Sequence, residues 1–209
     1  MVSEMESYKT IKKIGKFECE DRKSVFIGYA VPTKTPEEAQ DVLAKIKKQY
    51  PDARHHVYAY VLRENAIARF SDDREPQGTA GMPVLDVIRK KEIFDITIVV
   101  VRYFGGTLLG TGGLVHAYTQ AALGALLDAE IVELDYYTYF ALALSYSDYQ
   151  KFLPFAGEHE LRIEDTEFAS DVTVTASIKS AKYEEFLSAF TDFSGGKCDI
   201  LLLEEKFSL

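Results

Sequence analysis

The chain has no tryptophan, only two cysteines, six prolines and three methionines in 209 residues. Cys19 and Cys198 lie far apart, without ligand spacing around either. This argues against a disulfide-stapled scaffold and a cysteine metal site, and free thiols in a reducing compartment are expected. No uninterrupted apolar run approaches the ~20 residues of a membrane span, so no membrane partner is expected. The opening "MVSEMESYKT" lacks the basic-then-apolar pattern of a secretory signal, and the chain reads as cytoplasmic. Internal repeats and low-complexity tracts are missing too. Positive charge is short: 24 Lys and Arg stand against 33 Asp and Glu, a net charge of −9. The deficit is uneven. Up to Leu134 there are 18 basic and 19 acidic residues, a net of −1; from Asp135 onward there are 6 and 14, a net of −8. Two units with different surfaces are implied. A polyanion would meet the first, because the second repels phosphate over a Debye length of ~8 Å.

What is present suits an ordinary globular chain, 47% hydrophobic with 13 Phe and 13 Tyr to fill a core. "YKTIKKIGKF" and "KSVFIGYAV" read as strands divided by a polar turn near Asp21. "TPEEAQDVLAKIKKQY" reads as a helix, with Thr35 as N-cap, Pro36 at its first position and Glu38 completing a capping box. "HHVYAYVLR" and "IARFS" form a hairpin turning at Glu64-Asn65. The loop "DDREPQGTAG" leads to a short helix from about Pro83 to Lys91. "DITIVVVRY" has the continuous apolar pattern of a strand covered on both faces. A helix from about Thr111 to Ala129 follows, with Gly113, Ala117 and Ala121 as a stripe that lets it lie close to a sheet.

Beyond a boundary at Leu134-Asp135 the order reads strand "TYFALALSY", helix "SDYQKFLPFAGEH", strand "LRIEDTEF", strand "DVTVTASI", helix "SAKYEEFLSAF", strand "KCDILLLEEKF". Pro154 blurs the extent of the first helix. Val172, Val174, Ala176 and Ile178 alternate with polar residues, as on a sheet with one wet face. A βαββαβ order implies a ferredoxin-like domain. The expected fold class is α+β in two domains, 1–134 and 135–209.

"VVVRYFGGTLLGTGGLVHAY" holds five glycines between a strand and a helix. Amides bared by Gly105, Gly106, Gly110, Gly112 and Gly113, together with Thr111, would favour an anion at the helix start. The other reading is glycine for positive φ and close packing. Named nucleotide motifs fail: Thr111-Gly112 stands where a Walker A loop needs Lys-Ser/Thr, and Val115 where a Rossmann fingerprint needs glycine. Arg102-Tyr103-Phe104 could bind phosphate and stack on unpaired bases. Equally, one aromatic could be core and Arg102 could pair with a nearby carboxylate.

In "SDDREPQGTAG", Asp72, Asp73 and Glu75 could hold a divalent ion, or could cap turns and complement a helix dipole. Arg74 and Thr79 in the same loop are candidate anion contacts. His55 and His56 are adjacent in a strand, point to opposite faces and make a poor chelate. No residue is nominated as catalytic, and no motif calls for a cofactor.

"SDDREPQGTAGMPVLDVI" followed by "VVVRYFGGTLLGTGGLVHAY" resembles the signature of the IMPACT/YigZ family. Glu75-Pro76, Gly78-Thr79-Ala80-Gly81, Pro83, Arg102 to Gly106, Leu109-Gly110 and Gly112 to Leu114 carry the match. The sequence departs from the usual pattern at Arg74, where glycine is common, at His116, where arginine is common, and at Val57, where cysteine often occurs. The resemblance implies a first domain of the βαβ type found in a small-subunit ribosomal protein, a sandwich like that protein's second domain. It implies a second domain similar to the last domain of elongation factor G. It also implies a role in translation, because eukaryotic relatives regulate it. The expectation is a non-catalytic binding protein that meets RNA or the ribosome through its first domain and a protein through its acidic second domain. The alternatives are a nucleotide- or phosphoester-handling enzyme using the glycine loop, and a protein-interaction module.

Overall fold

The computed structural model describes residues 7–209; Met1 to Glu6 of the opening segment, where no secretory signal was read, lie outside the described residues. The chain divides into two compact units, Tyr8–Glu133 and Leu134–Leu209. The first contains strands β1 (Tyr8–Ile11), β2 (Gly15–Asp21) and β3 (Ser24–Pro32), helix α1 (Pro36–Gln49), and strands β4 (His55–Leu62) and β5 (Ile67–Ser71). Helix α2 (Gly81–Lys90), strand β6 (Ile96–Tyr103) and helix α3 (Gly110–Asp128) complete it.

Strands β2 to β6 form one antiparallel sheet in the order β2-β3-β6-β4-β5. The central strand β6 is buried along nearly its whole length because both faces are covered. Strand alternation sends Ile98 and Val100 into the core shared with α2 and α3. Val99 and Val101 pack with Leu43 and Ile46 of α1.

Thr35 Oγ1 caps α1 by accepting from the Glu38 amide at 3.2 Å. The capping box read from the sequence is altered, however: Glu38 Oε2 accepts from the amide of Lys34, not of Thr35, at 2.6 Å. The single strand expected from Tyr8 to Phe17 is two. The amides of Lys12 and Lys13 turn to the carbonyl of Ala129, which ends β1 before β2 begins. Helix α2 starts at Gly81, two residues before Pro83, because the Asp72 carboxylate accepts from the amides of Ala80 and Gly81.

The second unit runs through β7 (Ile131–Leu144), α4 (Tyr146–Glu158), β8 (Arg162–Phe168), β9 (Val172–Lys179), α5 (Tyr183–Ser194) and β10 (Ile200–Ser208). Strand β7 begins seven residues before the expected Thr138, so it runs through the boundary drawn from charge. The order β8-β9-β7-β10, with every neighbouring pair antiparallel, is ferredoxin-like. Val172, Val174, Ala176 and Ile178 alternate into a core with Phe140, Phe152, Phe186 and Phe190. Ser145 Oγ caps α4, and the helix continues through Pro154.

Candidate functional site

The C-terminal end of β6 is where the sheet, the α2 loop and the start of α3 converge. Alternation puts Arg102 on the same face as Ile98 and Val100, with Phe26 of β3 and His55 of β4 directly opposite it on either side. An arginine so placed is buried, and it has a partner. Its Nη1 donates to Glu75 Oε1 at 2.6 Å, and both side chains are almost fully buried, at 6% and 4% exposure. Tyr118, from α3, donates its hydroxyl to the same oxygen at 2.8 Å. His55 Nε2 lies 3.8 Å from that oxygen, and its Nδ1 donates to the carbonyl of Asp73 at 2.8 Å. Burial, then the charge of Glu75 and its hydrogen bond, pushes the Tyr118 phenol far above the ordinary tyrosine range, with Arg102 acting in the opposite direction. The Arg102 guanidinium also lies 5.4 Å from the centre of the Phe26 ring and 5.7 Å from that of Phe104.

Above this network is a cavity of about 400 Å³, lined by Arg54, His55, Arg74, Glu75, Pro76, Arg102, Phe104, Leu108, Leu109, Gly110, Thr111 and Leu114. Arg102, Glu75, Leu109 and Leu114 are buried, whereas Arg54, Arg74, Phe104, Leu108 and Thr111 are exposed. The first turn of α3 forms part of the wall, and its N-cap, Leu109, supplies no side-chain hydrogen bond to the helix amides. Among the described residues, Arg102 Nε is the single fully buried side-chain nitrogen or oxygen without a partner. Such an atom calls for a physical account, because most buried polar groups are bonded.

The structure thus brings Arg74, Arg102, Phe104, Gly110 and Thr111 to one place and leaves other candidates elsewhere. Tyr103, odd where Arg102 is even, points to the opposite face and packs with Val99 and Val101. Gly105 is a packing residue: a Cβ there would lie 2.0 Å from the Lys23 backbone, and its amide donates to Ser24 Oγ. Gly106 and Gly110 have φ of +85° and +73°, and Gly112 is exposed. Gly113 is half-buried against Leu109. Thr79 closes a turn by donating to the carbonyl of Pro76.

The three acids do not gather. Asp72 accepts from the amides of Gly78, Ala80 and Gly81, while Asp73 accepts from that of His56. Glu75 is occupied by Arg102 and Tyr118. Among the described residues, no group of three or more His, Cys, Asp or Glu side chains is arranged to hold a metal ion. Neither Tyr118 nor Arg54 was singled out by sequence reasoning, whereas Leu109 and Leu114 of the wall stood among the residues that carry the family resemblance. His55 was recoverable, since its place opposite Arg102 follows once β4 and β6 are paired in register.

Residues 22–126 match the model of the Impact N-terminal domain, and residues 142–197 match a domain of unknown function, DUF1949. The chain is 34% identical over 197 residues to the IMPACT family member YvyE of Bacillus subtilis, covering 94% of this chain and 91% of the relative. It is 38% identical over 206 residues to an IMPACT family member of Haemophilus influenzae, covering 96% and 98%. The chain belongs to the IMPACT family. A crystal structure titled as that of a hypothetical protein, 33% identical, shares the fold of this family member with a TM-score of 0.62, over 96% of this chain and 98% of that one. Of the positions at which this IMPACT family member departs from the usual pattern, Arg74 lines the cavity. Val57 is fully buried in the core. His116 is exposed on α3 and is not part of the cavity wall. Among the described residues no helix is long and apolar enough to cross a membrane.

Proposed function

We propose that this IMPACT family member is a cytoplasmic, non-catalytic binding protein of the translation apparatus, and that it contacts RNA at the cavity where β6 ends. One observation carries the reading: three arginines, the uncapped start of a helix and an exposed aromatic share one concave site. Arg54 and Arg74, exposed at the rim, suit phosphate oxygens. Phe104, 42% exposed, offers a face on which an unpaired base stacks. Arg102 supports the site from below and is not a surface contact. Tyr103 has no part in it. The net charge of −8 from Asp135 onward disfavours RNA on the second unit and suits a basic protein partner there.

The test uses the full chain and a short single-stranded oligoribonucleotide, with affinity followed by fluorescence anisotropy across a salt series. Each phosphate contact contributes about −0.7 to the slope of log affinity against log salt for single strands. Replacing Arg54 and Arg74 together by Ala is therefore expected to weaken binding and to flatten the slope by about 1.4. A double variant with the affinity and slope of the parent would end the proposal. Arg102→Ala is the poorer test, because it strands the Glu75 carboxylate inside the protein.

A further inference from the structure

Resting on that reading, we infer that the cavity is a site for a terminal phosphate, a phosphomonoester carried either by a free nucleotide or by the end of an RNA, rather than for the internal phosphodiesters of a passing strand.

The shape argues for an end. The buried Arg102, Glu75, Leu109 and Leu114 make a floor, and the exposed Arg54, Arg74, Phe104, Leu108 and Thr111 make a rim. A strand bound through its interior needs a groove long enough to enter and leave, whereas a terminus needs only a floored cavity. Its volume, about 400 Å³, lies in the range of small-ligand sites and not of surfaces that track a chain.

The charge argues for a monoester. Three arginines and one glutamate line the cavity, an excess of two positive charges in the lining, with the Asp73 carboxylate 3.9 Å from Arg74 just outside it. A monoester carries about −1.5 to −2 at neutral pH with three terminal oxygens, and so matches that excess. A diester carries a single negative charge.

The donors for those oxygens lie above Arg102, whose Nη1 is spent on Glu75 and whose unpartnered Nε is fully buried. The Glu75 carboxylate, which would repel an anion, already accepts from Arg102 and Tyr118. The amides opening α3 have no side-chain cap, and Gly110 and Thr111 bring them into the wall. Helix dipole and open N–H groups together favour a dianion there. At the mouth, Phe104 provides an apolar face for the ring that follows the phosphate.

The experiment compares, on the full chain, one hexaribonucleotide in three forms, with a 5′-phosphate, with a 3′-phosphate and with hydroxyls at both ends, alongside the nucleoside monophosphate alone. At least one phosphorylated form is expected to bind tenfold or more tightly than the hydroxyl-ended one, with Arg74→Ala reducing that ratio toward one. The rim position of Arg74, 79% exposed in its side chain, keeps this variant folded. If all three oligonucleotides bind equally, the terminal-phosphate assignment falls and the RNA reading stands. If the monophosphate binds and loses affinity in Arg74→Ala while no oligonucleotide binds, the assignment stands for a free nucleotide and the RNA reading falls. If nothing binds, both fall.

Discussion

At Glu75 a single carboxylate oxygen accepts from a guanidinium and a phenol in a place water hardly reaches. Removing one partner of a buried ion pair costs about 3–5 kcal/mol, mostly because the other charge is left uncompensated. Glu75→Gln keeps the shape and strands Arg102. A loss of that size is expected, read as a lower urea midpoint at unchanged m-value. Tyr118→Phe deletes one hydrogen bond to a charged acceptor and should cost about 1.5–3 kcal/mol. It should also change the alkaline limb of stability. The folded-state pKa of Tyr118 is raised, whereas in the unfolded chain tyrosine ionises near pH 10. The contribution is therefore complete below about pH 10 and is lost as pH rises further, because the unfolded chain releases a proton that the folded one retains, at about 1.4 kcal/mol per pH unit. Unfolding free energies from pH 9 to 11 should fall less steeply in Tyr118→Phe than in the parent. Equal slopes would show that the phenol ionises as freely in the folded protein. That Arg102 pairs with a carboxylate was one of the two readings of the sequence. Which carboxylate, and the part played by Tyr118, were not legible where 27 and 43 residues separate Glu75 from Arg102 and Tyr118. The alternation of β6 was legible, and it alone is enough to place Tyr103 away from Arg102.

Helix α3 lies against β2 and β3 at backbone distance, which works because small residues meet on both sides. A Cβ on Gly28 would stand 2.4 Å from the carbonyl oxygen of Ala121, and one on Gly15 2.1 Å from that of Ala125. These neighbours are main chain and cannot rotate aside, so Gly28→Ala should cost at least the ~1–3 kcal/mol of ordinary overpacking. Gly112, in the first turn of the same helix, has nothing within 4 Å of such a Cβ. Gly112→Ala should raise stability by up to ~1 kcal/mol through helix propensity alone. Thermal unfolding of the two variants should move in opposite directions, and a shift of the same sign would contradict the packing described. The helix half of this interface was legible as a stripe through Ala117 and Ala121. Its strand half was not, because a glycine in a strand announces close approach without naming what approaches. Similarly, the start of α2 was misplaced by two residues, since Asp72, its capping carboxylate, lies nine residues before Gly81.

At the scale of the whole chain, two units have separate cores and unequal charge. The strand and helix order of the second unit was readable because its elements alternate cleanly and its caps are local, Ser145 for α4 and a left-handed Gly195 ending α5. The early start of β7 was hidden by the very charge shift that marked the division. The separate cores lead to a prediction that divides stability from binding. Phe152 is fully buried among Phe155, Phe190 and Phe193 in the second unit. Phe152→Ala should cost about 3–5 kcal/mol through lost burial and the cavity left behind. The loss should appear as faster hydrogen exchange in the amides of residues 134–209, because stability is distributed by cooperative unit and not uniformly. The cavity over Arg102 draws all its lining residues from the first unit. The variant's affinity for the oligoribonucleotide should therefore match that of the parent at temperatures where the first unit stays folded. A parallel loss of affinity would mean that the acidic unit takes part in binding, and the assignment of the site to the first unit alone would have to be abandoned.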